Sequence, residues 1–227
     1  MIGVTENLRK ITDLLAFSAN EAGREPDAVK LLAVSKKQPL EKILAAVNAG
    51  QRDFGENFVQ EGLGKIGQTR DLGLVWHFIG HLQNNKTRVV AENFDWVHTI
   101  DKLKTARRLS EQRPTSLGPI NICIQVNIDN EDGKSGIAAD ELPELAAACA
   151  RLPNLALRGL MCLPIARTEF AQQRIPFAGL RELAGKLQSG GIEMDTLSMG
   201  MSGDYRAAIF EGATIVRIGT ALFGDRD

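Results

Sequence analysis

The stretch Leu31–Pro39, LLAVSKKQP, decides how this chain is read. Four apolar residues bounded by Ser35 and a pair of lysines, with Pro39 stopping any ladder, are too few for a helical period and fit a buried parallel strand. Side chains alternate along a strand, so Leu32, Val34 and Lys36 share one face while Leu31, Ala33, Ser35 and Lys37 share the other. With the bulkier Leu32 and Val34 turned inward, Lys36 ends the strand at the mouth of a packed core and Lys37 stays outside. A lysine held against apolar walls loses hydration, which favours the neutral amine that can attack an aldehyde. Taken alone, the same residues also read as a solvated basic turn. The rest of the chain has to separate the two.

Outward from this stretch the pattern repeats. Val4 to Ala22 is periodic at helical spacing and is ended by Gly23. Leu40 to Ala49 is a second helix between Pro39 and Gly50. Gln51–Asn57 (QRDFGEN) gives a second strand, followed by a helix from about Phe58 to Ile66. Val75–Gly80 (VWHFIG) is the third strand, with Asn84 capping a helix to about Glu92. Phe94–Asp101 (FDWVHTID) is the fourth, with Asp101 capping a helix through Leu109. Ile120–Ile128 (INICIQVNI) is the fifth, followed after a Gly-Lys-Ser-Gly turn by a helix over Asp140 to Leu152. Leu155–Met161 (LALRGLM) is the sixth, with a helix over about Phe170 to Leu187. Thr196–Gly200 (TLSMG) is a weak seventh, and the segment from Ser202 to Gly212 turns helical behind it. Thr214–Gly224 (TIVRIGTALFG) supplies the eighth. Strict strand-then-helix alternation demands parallel strands and right-handed crossovers, and eight such units close into a TIM-type (β/α)8 barrel. An open doubly wound sheet is the competing architecture, but no Gly-rich dinucleotide turn or Walker sequence supports it.

The chain has 227 residues, 44% hydrophobic and 24% charged, and a net charge of −1. That is ordinary globular composition, long enough for one barrel domain over 1–227, and it offers no basic excess for nucleic acid. Cys123, Cys149 and Cys162 have no CxxC spacing and an odd count, which points to a reduced, cytoplasmic protein. The opening MIGVTENLRKITDLL holds no long apolar run, so neither a signal peptide nor a membrane span is expected. The three histidines lack metal-ligand spacing and are read as core or hydrogen-bonding residues.

In such barrels chemistry collects at the C-terminal ends of strands. Lys36, Glu56, Asn57, Gly80, His81, Ser202, Gly203, Gly219 and Thr220 all fall there. Arg217 interrupts an apolar strand on the face of Ile215 and Gly219, so if Ile215 points inward a guanidinium does too. Such a buried charge needs a partner, either a carboxylate such as Glu56 or a ligand. Ser202 with Gly203, opening a helix, and Gly219 with Thr220 offer adjacent donors for an anion such as phosphate. Lysine, arginine and an anion cup around one mouth suit an aldehyde-bearing phosphate, and pyridoxal phosphate meets all three demands. The Lys134–Gly136 turn is read as solvated.

The motifs AVSKKQP, FGENFVQE, WHFIGHLQNNK, VHTID, KSG, RGLMCLP, LSMGMSGD and VRIGTALFG together resemble the YggS/PROSC family of pyridoxal phosphate homeostasis proteins over nearly the whole chain. KKQP and GHLQ depart slightly from the commoner family form without touching a proposed ligand. The resemblance implies a barrel like the N-terminal domain of alanine racemase, with pyridoxal 5'-phosphate held as a Schiff base on Lys36. It also implies Asn57 beside the pyridine ring, Arg217 facing the ring nitrogen, and Ser202, Gly219 and Thr220 on the phosphate. The expected function is non-catalytic: a cytoplasmic, monomeric carrier in vitamin B6 and amino-acid homeostasis that serves apo-enzymes. A racemase of the same cofactor class is the alternative, for which Tyr205 is the only tyrosine available as a second proton donor. A Schiff-base aldolase with a sugar phosphate in the cup is the third.

Overall fold

The computed structural model describes residues 3–131 and 133–224. The outer limits of a domain drawn over 1–227 therefore lie outside the described residues. In chain order the elements are α1 (Val4–Glu21), β1 (Lys30–Val34), α2 (Leu40–Asn48), β2 (Asp53–Glu56), α3 (Val59–Gln68), β3 (Val75–Phe78), α4 (Thr87–Asn93), β4 (Trp96–Ile100) and α5 (Leu103–Gln112). They continue with β5 (Ile120–Val126), α6 (Leu142–Ala150), β6 (Leu155–Cys162), α7 (Phe170–Ser189), β7 (Thr196–Ser198), α8 (Tyr205–Phe210), β8 (Ile215–Ile218) and α9 (Thr220–Phe223). The eight strands form a closed parallel barrel in sequence order, with β8 returning to β1 through the pairs Lys30–Ile215 to Ala33–Ile218.

Alternation along each strand divides the side chains between two environments. Outward residues such as Leu31, Ala33, Phe54, Phe78, Val97 and Ile122 form the main apolar core with the helices. Inward residues fill the barrel itself, where Trp96, Cys123 and Met161 make a smaller apolar cluster. Gly55 has inward parity on β2, where a Cβ would come within 3.1 Å of Ile79 and 3.3 Å of Leu32. The last helix, α9, has only four residues, too short to cover the β8–β1 junction. The N-terminal α1 takes that place against α9, α8 and α2, and Asn7 donates to the Leu222 carbonyl at 3.0 Å.

Several boundaries differ from the sequence reading. The first strand ends at Val34, and Lys36 lies just beyond it in a turn that Lys37 completes with φ = 58°. The inward parity of Lys36 survives because the Ser35 amide still follows the ladder, donating to Gly55 at 3.0 Å. Asn84 opens a short 3-10 turn ahead of α4 rather than capping it, and Thr87 Oγ1 donates back to the Asn84 carbonyl. Lys102, not Asp101, precedes α5, with no side-chain cap. The sixth helix is shorter than Asp140 to Leu152 at both ends. The eighth strand stops at Ile218, because the chain turns into α9 directly after Gly219.

Candidate functional site

A cavity of ≈ 670 Å³ opens at the C-terminal ends of the strands, and Lys36, Asn57, Ser202, Arg217, Gly219 and Thr220 all line it. Its size is ordinary for a small-molecule site. The sequence reading therefore brings its six residues to one place, although they come from four separate turns and one strand.

Lys36 is half-buried in this cavity while Lys37 is exposed. The turn that carries them is gripped from α3. Lys65 donates to the Ser35 carbonyl at 2.7 Å, and Glu61 accepts from the Lys37 amide at 2.5 Å. Lys65 is itself 6% exposed and pairs with Glu56 at 2.7 Å and Glu61 at 2.6 Å. Ser35 Oγ also donates to Glu56 at 2.7 Å. Burial pushes the Glu56 carboxyl upward, while the bonds from Lys65 and Ser35 act against that rise.

Glu56 cannot meet Arg217, which corrects one expected partner. In β2, Asp53 and Gly55 take the inward parity, so Phe54 and Glu56 point outward to the helices. Arg217 instead donates to Ser198 Oγ at 2.8 Å and to the Cys162 carbonyl at 2.9 Å, in the barrel interior. Its side chain is buried with no carboxylate within ion-pairing distance among the described residues. The barrel supplies neutral acceptors there and leaves the positive charge facing the cavity.

Asn57 follows β2, and its Oδ1 is buried with no hydrogen-bond partner among the described residues. A buried acceptor left unpaired costs about 1–3 kcal/mol, and this one, on the cavity wall, is available to a ligand donor. Its backbone is fixed by Gly80, since a Cβ at that glycine would come within 2.0 Å of the Asn57 carbonyl oxygen. Thr99 Oγ1 donates to the Gly80 carbonyl at 2.6 Å from the next strand.

Ser202 and Gly203 lie in a turn, not at the start of a helix, because α8 begins at Tyr205. Asp204 shapes the turn: its Oδ1 accepts from the Met201 amide at 2.6 Å, and the Tyr205 amide donates to Met201 at 2.8 Å. In the turn after the neighbouring β8, Gly219 packs so closely that a Cβ would meet the Val34 carbonyl at 3.2 Å. Thr220 then opens α9. Hydroxyls and small residues from these two turns make a wall suited to an anion.

Lys134 is exposed, as the solvated-turn reading expects, and it also lines the cavity and pairs with Glu131. His81 lies on the rim and is exposed. Tyr205 packs partly buried against the main core and is not among the cavity-lining residues. The cysteines are free and buried, and burial pushes each thiol up to about 12, so none is a ready nucleophile.

Sequence reasoning missed the buried polar chain beneath Arg217. His98 Nδ1 lies 2.8 Å from Ser198 Oγ, His98 Nε2 lies 2.9 Å from His77 Nδ1, and His77 Nε2 lies 3.1 Å from Asp53 Oδ1. Strand parity was the available signal, since each of the four residues has inward parity on its strand. No group of His, Cys, Asp and Glu fit to hold a metal occurs among the described residues, and no described helix is long and apolar enough to cross a membrane.

Residues 10–227 match the family model described as alanine racemase, N-terminal domain. The chain is 56% identical over its whole length to the pyridoxal phosphate homeostasis protein of Pseudomonas aeruginosa, covering 97% of it. It is 51% identical to the protein of that name from Escherichia coli K12, covering 98% of that relative. Among solved structures, PipY of Synechococcus elongatus with pyridoxal phosphate bound superposes with a TM-score of 0.81 at 37% identity, over 92% of this chain and 100% of that one. Alanine racemase from Corynebacterium glutamicum shares the fold, with a TM-score of 0.71 at 19% identity over 98% of this chain and 61% of the racemase.

Proposed function

The chain belongs to the family of pyridoxal phosphate homeostasis proteins, and from that premise we propose that it binds pyridoxal 5'-phosphate in the cavity at the top of its barrel. The single observation that carries the proposal is the convergence there of Lys36, Arg217, an unpartnered Asn57 oxygen and two donor-bearing turns. The donor set fits the cofactor: an amine for the aldehyde, a cation for the ring nitrogen, and hydroxyl and small-residue turns for the phosphate. When bound, the cofactor supplies an electrophilic carbonyl whose reactivity the protein contains. Lys36 would hold it as a Schiff base, Arg217 would offer only donors to the ring nitrogen, and Ser202, Gly219 and Thr220 would grip the phosphate. Asn57 flanks the ring.

The role is storage and delivery rather than turnover, in one unit spanning 1–227 that acts as a monomer in the cytoplasm and serves apo-enzymes. Two features support a non-catalytic reading. Arg217 has no acceptor to hold a proton on the ring nitrogen, which makes the bound ring a weak electron sink. The only tyrosine packs partly buried against the main core and does not line the cavity, which supports no role for it as the second proton donor that racemisation needs.

Borohydride reduction of the loaded protein followed by peptide mass analysis tests the proposal. A pyridoxyl group on Lys36 is the expected result. Label on Lys37, Lys86 or Lys134 in its place would sink the assignment, and robust interconversion of L- and D-alanine would sink the non-catalytic role.

A further inference from the structure

Arg217, Ser198, His98, His77 and Asp53 form one hydrogen-bonded line through the barrel, from the cavity to the opposite end where Lys30 meets Asp53 at 3.0 Å. The residues come from β8, β7, β4, β3 and β2. His77 and His98 are fully buried, and Trp96 stacks on His77 with ring centroids 5.3 Å apart. Both rings sit at 0% exposure, so their hydrogen-bond partners are the protein groups on the line.

With Asp53 ionised and both imidazoles neutral, the donors and acceptors of the line align in one direction. Asp53 is held below the usual carboxylate range by His77 and Lys30, against the pull of its own burial, and is ionised at neutral pH. Burial lowers both imidazoles, so both are neutral; besides each other they face Asp53, Lys30 and Asp95 around His77 and Arg217 around His98. An ionised Asp53 only accepts, so His77 carries its proton on Nε2 and accepts on Nδ1. His98 must then donate from Nε2 and accept on Nδ1. Ser198 therefore gives its proton to His98, and the hydroxyl oxygen is left as an acceptor for Arg217.

We propose that Asp53, His77, His98 and Ser198 are positioning residues that hold the Arg217 guanidinium in a single orientation toward the cofactor's ring nitrogen, by forcing every hydrogen bond on the line to run from Arg217 to Asp53. The inference rests on the proposed cofactor site but is testable without it. With its hydrogen committed to His98, Ser198 keeps its oxygen lone pairs for Arg217, which has only donors to offer. On this line Arg217 itself meets only neutral acceptors, Ser198 Oγ and the Cys162 carbonyl, while Asp204 acts on it electrostatically without a hydrogen bond to it.

The test has an arm with no cofactor and an arm with it. In cofactor-free protein, 15N NMR of the imidazoles should show Nε2–H on both His77 and His98, unchanged from about pH 6 to pH 8, across which an ordinary histidine titrates. In Lys30→Ala, which removes only Asp53's exposed partner, the same tautomers should persist. In loaded protein, Ser198→Ala should speed cofactor loss about tenfold and shift the visible band of the bound cofactor, and Ser198→Thr should restore both. Asp53→Asn, at the end away from the cavity, should shift the band in the same direction, which a merely structural carboxylate would not do. An Nδ1–H tautomer or an imidazolium on either ring overturns the proposal, as does a folded Ser198→Ala that retains cofactor like the parent. If the parent protein takes up no cofactor, the binding proposal fails while the NMR result still decides the line.

Discussion

The Lys65 ammonium donates at 2.7 Å to the carbonyl of Ser35, the residue immediately before Lys36. A buried helix lysine thereby holds the backbone of the turn that presents the cavity lysine, and the same ammonium neutralises Glu56 and Glu61. The reactive amine is thus placed by a second amine that is fully engaged.

Lys65→Met should therefore destabilise the protein by about 3–5 kcal/mol at pH 8, the range for removing one partner of a buried pair. Glu56 is left buried without its cation. Burial already raises that carboxyl's pKa, and losing Lys65 raises it further. A carboxyl whose folded pKa lies above its unfolded value costs stability as pH rises past about 4.5, so the deficit should shrink toward pH 5. Urea unfolding at both pH values measures it. Equal deficits would show that Glu56 is not the cause.

Lys36→Ala should abolish borohydride-fixed pyridoxal phosphate, whereas Lys37→Ala should retain it. Lys37 is exposed with φ = 58° and serves the turn through the hydrogen bond that its backbone N–H donates to Glu61 Oε1. Visible absorbance of the two purified variants compares them directly, and a colourless Lys37→Ala would reverse the assignment.

Ser202→Ala and Thr220→Val should each weaken pyridoxal phosphate binding about tenfold, roughly 1.4 kcal/mol, while leaving pyridoxal itself little changed. Equilibrium dialysis with both ligands separates a phosphate contact from general damage to the pocket. Equal losses for the two ligands would remove these residues from the phosphate site.

Acid should unfold the protein through its barrel histidines. The folded pKa values of His77 and His98 are lowered by burial, so the unfolded chain binds protons that the folded one refuses. Stability from this source is complete above about pH 6.5, the unfolded value, and is lost as pH falls below it. His98→Gln should flatten the dependence of the urea midpoint on pH between about 6.5 and 5. A variant with the parent's slope would place the acid sensitivity elsewhere.

The barrel was legible because each strand is a short apolar run closed by glycine, proline or polar residues, a pattern that survives errors of a few residues at either end. The cavity residues were legible for a related reason, since unusual side chains at strand ends stand out against apolar neighbours. Strand ends were not. Lys37 adopts a left-handed conformation that its residue type does not advertise, so β1 was drawn too long. Glu56 and Arg217 both lie near strand ends and read as possible partners, while parity puts one outside the barrel and the other inside. Lys65 went unnoticed because a lysine on a polar helix gives no local sign of being buried. The line from Asp53 to Ser198 draws on four strands, and no single window of sequence contains two adjacent members.

The pairing of β8 with β1 has a further consequence for synthesis on the ribosome. Lys30 to Ala33 meet Ile215 to Ile218, so nearly the whole chain must be made before the sheet can close. Until then β1 and β7 are open edges, prone to pair with other chains. Arg217, Gly219 and Thr220 all arrive with the closing strand or just after it. A nascent chain therefore presents Lys36 long before it has a pocket, and the finished ring and the finished site appear in the same step.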